Sequence, residues 1–409
     1  MQIFTKQLNM DPFRPWLIQL GFVNLLTCLL LSGCQKQKTT TEELSTGQIY
    51  KVGQGNYSTT FGIYDTSPES PDGSRIAYIR FLQEPKHERD GHPGELWLCD
   101  SDLTNHRKVC DVPIVRPHNG AQVFWVDDQT LGFHTAWSDN PRELFVVDAS
   151  SGENRFAPIP GVTDVGHDAH AGKILFATDV RTKGTPIGVP GMYELDAATG
   201  EYTLLISVSE LNKLKHVLPA SALNAEGAYP ESEWKFLHLM YSPNAERIAF
   251  RLDVGTEPSQ RLRLSMKPDG SDVINLDPLL LHFRWYDDQT FAGHDRDKSR
   301  WLLPVRYSYQ SEFLGTIANV PGNHYAMSPD RKGFLSESNY NSDPVILRYY
   351  HADDNLQTSQ IIAEFSPLDV IWKKRYHVNP AFSQDGKRAY FHMPTEDGYN
   401  GTYVVQIKP

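Results

Sequence analysis

The chain has 409 residues, 40% hydrophobic and 22% charged, a balance that excludes a disordered chain. Its 29 Gly and 27 Pro exclude a collagen-like or low-complexity one. With 39 basic against 50 acidic residues the formal charge is −11, and such a surface repels phosphates, which argues against a nucleic-acid partner.

In chain order, Lys6 and Arg14 precede an apolar stretch from Trp16 to Leu31 that ends Leu31-Ser32-Gly33-Cys34. This resembles a bacterial lipoprotein signal with its lipobox. The resemblance implies that residues 1–33 are removed and that Cys34 is acylated, so that a lipid is the chain's only membrane anchor. Residue 35 is Gln rather than Asp, which by the same rule implies the outer membrane of a bacterial envelope rather than the inner one. Loss of Lys6, Arg14 and Asp11 leaves −12 on the mature chain. Residues 34–47, the acylated cysteine and a polar, Thr-rich stretch, read as a tether. Residues 48–409 read as one folded body.

That body repeats. A turn with Asp or Asn, then a basic or polar residue, then an alternating apolar strand recurs as Ser-Pro-Asp72-Gly-Ser-Arg-Ile-Ala-Tyr, Ser-Pro-Asn244-Ala-Glu-Arg-Ile-Ala-Phe, Ser-Pro-Asp330-Arg-Lys-Gly-Phe-Leu and Ser-Gln-Asp385-Gly-Lys-Arg-Ala-Tyr-Phe. A variant, Asp-Asp-Gln-Thr, stands at Asp127–Thr130 and Asp287–Thr290. Pro and Asp suit a type I turn, and alternation after it marks a strand. A second hairpin follows most of these phrases, as in Glu95-Leu-Trp-Leu-Cys-Asp and Glu143-Leu-Phe-Val-Val-Asp. Two hairpins make the four strands of a propeller blade. Markers at 72, 128, about 171, 244, 288, 330 and 385 predict an all-β, seven-bladed β-propeller.

Cys99 and Cys110 flank a turn between the expected strands Glu95–Cys99 and Arg107–Asp111. A disulfide is feasible there, but the opposing register is open. Val208–Val217 has the nearest approach to helical periodicity and opens an insertion to about Trp234, expected to cap one face of the ring. The last strand, Thr402–Ile407, comes too late to finish a blade, so Ile49–Val52 or a neighbour is expected to complete it and close the circle.

Six residues before the turn markers stand Gln122, His238, His282, His324 and Asn379, and His377 lies two residues before Asn379. Equivalent positions in a closed ring share one height, so these side chains are expected at one mouth of the axis. Imidazole is both the natural base near pH 7 and the commonest neutral metal ligand; with an amide oxygen it suits Mn or Zn.

At these residues the chain resembles the oligogalacturonate lyases, pectin-degrading β-propellers. The likeness is carried by Gly191-Met-Tyr-Glu-Leu-Asp-Ala-Ala-Thr-Gly-Glu-Tyr-Thr-Leu-Leu-Ile, by the His238 and His282 strings and by Arg375-Tyr-His-Val-Asn-Pro-Ala-Phe-Ser-Gln-Asp-Gly. The resemblance implies β-elimination of uronate oligosaccharides, with His238 as the base and a divalent metal, Mn by preference, on the carboxylate. It implies His282 and the His377/Asn379 pair as metal ligands, with His324 completing the set or binding sugar. Asn379 stands where the family has a second His, and Lys374 where it has Gln, so Lys374 is expected on the substrate carboxylate instead. Arg375, Arg284 and Gln122 are the other expected substrate contacts. Elimination removes a proton α to a carboxylate, which a cation assists by stabilising the developing charge and a neutral imidazole completes by accepting the proton. Trp125, Tyr241, Trp285 and Tyr286 are expected to pack between blades, and His167-Asp-Ala-His170 to lie on the surface. No phosphate loop, CxxC pair or Gly-x-Ser-x-Gly elbow is present. The changed residues at 374 and 379 leave a second reading open, a non-catalytic TolB-like propeller binding glycans or protein partners.

Overall fold

The computed structural model describes residues 44–407 apart from 88–89, 136–141, 183, 219–233, 256–259, 277–279, 296–303, 318–320, 339–342, 352–357 and 367–375. The signal segment, Cys34, Lys374 and Arg375 lie outside the described residues. The described strands form seven four-stranded antiparallel sheets, a seven-bladed β-propeller. The innermost strands are Thr59–Thr60, Phe124–Asp127, Val162–Val165, Lys235–Tyr241, Leu281–Trp285, Gly322–Met327 and Ala381–Phe382. Six blades are built from consecutive strands. The seventh takes its outermost strand, Ile49–Lys51, from the other end of the chain, where it pairs with Asn400–Gln406. The ring closes as the short last strand required.

The recurring turn has a common chemistry. Asp72 Oδ1 accepts the Ser74 amide at 3.0 Å and the Ser70 hydroxyl at 2.5 Å, and Asp330, Asp385 and Asn244 do the same in their turns. These side-chain bonds close the turn locally. The second Asp of each Asp-Asp-Gln-Thr phrase latches the preceding blade. Asp128 accepts the Asp72 amide and Asp288 the Asn244 amide, both at 2.8 Å.

Packing follows from the ring. Seven apolar clusters each straddle two neighbouring blades. Trp125 and Trp285 are buried in two of them, and Tyr241 and Tyr286 pack against two others, as expected. Cys110 pairs with Leu96, whereas Cys99 lies three residues on, facing the other side of the strand. Both thiols are free.

The insertion opens with a short helix, Val208–Lys213, started by a capping box between Ser207 and Glu210. Val208 and Leu211 enter the apolar cluster shared by blades three and four. Asn275, on the outermost strand of blade four, donates to the Val217 carbonyl at 3.0 Å. The described part of the insertion therefore sits at the periphery between two blades, not over the axis. Residues 219–233 lie outside the described residues.

Candidate active site

The axial residues hold an unusual backbone. Gln122, His238, His282 and Asn379 have φ of +44°, +54°, +48° and +45°, the left-handed region that costs a residue other than glycine about 1–3 kcal/mol. The innermost strands of blades three to six break register here, between Val162 and Asp164, Leu237 and Met240, Leu281 and Arg284, and Gly322 and Tyr325. Such bulges re-aim a side chain and recur beside active sites.

The re-aimed side chains meet. Gln122, His238, His282, His324 and Asn379 line one cavity of about 410 Å³ at a mouth of the axis. The His282 and His324 ring centroids are 4.4 Å apart and those of His324 and His377 4.6 Å. Blade three supplies Asp164 in place of an imidazole. Tyr64, from the loop before the first blade's turn, stands in the middle with His282 at 5.3 Å, His324 at 5.1 Å and His238 at 6.2 Å. Its hydroxyl is buried without a protein partner among the described residues, and that burial raises its pKa.

Burial sorts the imidazoles. His324 is 3% and His377 8% exposed, whereas His238 and His282 are half-buried and open to the cavity. Burial, then Arg251 and His282, holds the His238 pKa well below the ordinary imidazole range; burial and His324 do the same to His282. Both rings are neutral near pH 7. Burial takes His324 down to about 3 and Glu337 up to about 8, so the His324 Nδ1–Glu337 Oε1 contact at 2.7 Å joins two uncharged groups. Burying two separate charges there would cost more than their attraction returns.

A second polar series supports the first. His134, Arg251, His294, Glu337 and His392 follow the turn markers by six or seven residues, on the second strands of five of the seven blades. His134 Nδ1 lies 3.2 Å from Gln122 Oε1. His392 donates Nδ1–H to the His377 carbonyl at 2.9 Å and accepts the Phe61 amide on Nε2. This series could have been found by the count that found the first.

Basic residues line the same cavity: Arg142, Arg251, Arg263 and Lys235. Arg251 forms two bonds with Asp253, at 2.7 and 2.6 Å. The sequence reading missed these arginines because they stand on second strands, third strands and a loop, outside the innermost-strand count. Arg284 does not line this cavity. Two residues past His282, on a strand bulged between Leu281 and Arg284, it faces a different site. There it is 4% exposed, bonded to Asp65 at 2.7 Å and Asp168 at 3.3 Å, and it donates to His167 Nδ1. Asp65, Asp168 and Arg284 line a separate cavity of about 200 Å³. His167 corrects the surface expectation for its segment. It is 2% exposed, at the axis, while His170 is exposed.

A resident divalent ion does not fit the residues described. Among them no three His, Cys, Asp or Glu side chains converge to hold one. No chemical step below is routed through a metal.

No protein-family model and no curated protein sequence matches the chain. Solved structures match its fold. An oligogalacturonate lyase in complex with manganese aligns over 90% of this chain and 94% of its own, with TM-score 0.61 and 14% identity. An oligogalacturonate lyase of Vibrio parahaemolyticus aligns over 88% and 93%, with TM-score 0.59 and 12% identity. A structure from a study of two prolyl endopeptidases aligns over 86% of this chain and 48% of its own, with TM-score 0.53 and 12% identity. At such identities the likeness is one of fold, and what these similarities establish is the β-propeller architecture that the oligogalacturonate lyases share.

Proposed function

We propose that the chain is a polysaccharide lyase that cleaves uronate-containing oligosaccharides by β-elimination in the axial cavity. The observation that carries the reading is the joint placement of two neutral, half-buried imidazoles and three arginines in one cavity of about 410 Å³. The arginines supply fixed positive charge for a sugar carboxylate, with the forked geometry suited to it. As the proton α to that carboxylate leaves, negative charge grows on the carboxyl oxygens, and nearby guanidiniums stabilise it. One imidazole takes the proton, and an incoming carboxylate favours the resulting imidazolium.

In this reading the carboxylate is held by Arg142, Arg251 and Arg263, with Lys374 and Arg375 as further candidates, and Gln122 at the sugar. The resemblance implies manganese; the donor set described does not support it, and the guanidiniums take over its electrostatic task. The protein acts from the bacterial envelope, tethered through Cys34, on substrate reaching the outer membrane.

The test is incubation of the full chain with oligogalacturonides, ulvan and related uronates, following absorbance of the unsaturated product. Saturable binding of these sugars with no product from any of them rules out the lyase reading and leaves a glycan-binding propeller.

A further inference from the structure

The hydrogen bonds around the two cavity imidazoles have a fixed direction, and it runs opposite to the assignment implied by the resemblance. Arg284 has no lone pair to offer, so in its contact with His167 the ring atom Nδ1 must be the acceptor. A neutral His167 then carries its only proton on Nε2. That Nε2–H faces His238 Nδ1 at 3.2 Å, so His238 Nδ1 accepts. The single proton of a neutral His238 is thereby placed on Nε2, the nitrogen without a protein partner among the described residues. The Asp164 carboxylate holds the His238 backbone amide at 2.8 Å and fixes the ring's position in the chain of bonds.

His282 is fixed the other way. Its Nδ1 lies 2.8 Å from the Asn323 carbonyl, which can only accept. Its proton is on Nδ1, and the lone pair on Nε2 is left without a protein partner among the described residues, on a half-buried residue that lines the cavity. A backbone carbonyl on one ring nitrogen is the usual means of exposing a lone pair on the other.

We propose that His282 removes the proton and that His238 is a hydrogen-bond donor to the substrate, held in that state by the Arg284–His167 pair. His282 Nε2 takes the proton from the carbon α to the carboxylate. The C–H electron pair becomes the new C=C bond, and the bond from the neighbouring carbon to the glycosidic oxygen breaks with its electron pair going to that oxygen. Water protonates the leaving oxygen, and the hydroxide so formed neutralises the His282 imidazolium. His238 Nε2–H bonds to the carboxylate throughout and keeps its proton. His167 and Arg284 are positioning residues. The substrate class rests on the lyase reading above; the donor and acceptor assignment does not.

The experiment has a spectroscopic and a kinetic arm on the full chain. Long-range ¹⁵N–¹H spectra of ¹⁵N-histidine-labelled protein near pH 7.5, assigned with His238→Gln and His282→Gln, distinguish protonated from bare ring nitrogens. The expected result is a bare Nδ1 on His238 and a bare Nε2 on His282. In His167→Phe the His238 preference should be lost, and in His167→Gln, which keeps a donor, it should be retained. A proton on His238 Nδ1 overturns the proposal. In kinetics, His282→Gln should lower kcat by about 10²–10⁴-fold, the usual contribution of a general base. His238→Gln keeps an N–H donor and should fall far less, within about tenfold. The reverse order also overturns the proposal. If the wild-type chain cleaves no uronate, the lyase reading fails while the spectra still decide the assignment.

Discussion

Replacing Asp164 by Asn tests how the axial site is held. The side chain is 3% exposed, accepts Gln122 Nε2–H at 3.2 Å and holds the His238 amide at 2.8 Å. Burial raises its pKa to about 6 against the opposing pull of those hydrogen bonds. A folded-state pKa above the unfolded one means that the folded state binds more protons through the interval. Wild-type stability is therefore highest below the ordinary carboxylate range and declines as pH rises to about 6. A rise of about two pH units corresponds to about 3 kcal/mol. Asn carries no charge in either state, so this decline disappears in the variant. At low pH the variant should be the weaker protein by about 1–3 kcal/mol, because one of two N–H donors then faces an NH₂ group. Urea denaturation of both proteins from pH 3.5 to 7.5 measures the difference. It should shift by about 3 kcal/mol in favour of Asn between about pH 4 and 6 and stay flat above. A shift in the opposite direction would mean that hydrogen bonding to the carboxylate outweighs burial, and the reasoning would be wrong.

Other outcomes follow from the same geometry. Arg251→Met and Arg263→Met should each raise KM for a uronate oligosaccharide by about tenfold or more, the worth of a charged hydrogen bond of about 1.5–3 kcal/mol; an unchanged KM in both would remove them from the carboxylate site. Exhaustive chelation, and added Mn, should each leave the rate within about twofold, since the described donors form no ligand set; a rate abolished by chelation and restored by Mn would return the metal to the mechanism. Burial pushes the Cys99 thiol up to about 12 and Cys110 up to about 11. Alkylation of the folded protein near pH 8 should therefore be slow at both and complete on unfolding without reductant, whereas a need for reductant would reveal a disulfide. Asp128→Ala and Asp288→Ala each remove one latch between blades and should cost about 1 kcal/mol apiece, nearly additively because they are far apart; thermal denaturation of the double variant checks the sum.

Blade count and ring closure were legible because the signal is local and repeated. The phrase around Asp72, Asn244, Asp330 and Asp385 is a side-chain-closed turn whose chemistry is written in four or five adjacent residues. The short final strand left one place for Ile49–Val52. The convergence of His238, His282 and His324 was legible for the same reason, since constant phase becomes constant height in a ring. Which cavity a residue lines was less visible. Arg284 was expected at the substrate beside His282, but it lines another cavity with Asp65 and Asp168. His167 was misread because its neighbours Asp168 and His170 look solvated, and only its bond partners, 71 and 117 positions away in sequence, bring it to the axis. Arg142, Arg251 and Arg263 reach the cavity from outside the counted phase.

The left-handed backbone at the axis bears on which residues can serve there. Four equivalent positions hold φ near +50°, and none is Gly, the residue that would relieve the strain most. Asn tolerates this region best among the others, and His is enriched in it, whereas β-branched residues are strongly disfavoured. The positions thus select side chains that are polar, capable of hydrogen bonding and tolerant of the turn, which is the set observed: Gln122, His238, His282 and Asn379. His324 shows the complement. Its φ is ordinary, it is buried, and it is engaged with Glu337. The residues whose backbone is bent toward the axis and whose rings stay half-open are His238 and His282 alone. Their strain is retained because the Asp164 carboxylate on one amide and the Asn323 carbonyl on one ring nitrogen over-determine both geometries. A site that tolerated glycine at either position would have no need of an imidazole at that height. Replacing His282 by Gly should accordingly relieve the backbone while abolishing turnover, separating the cost of the bend from the work of the ring.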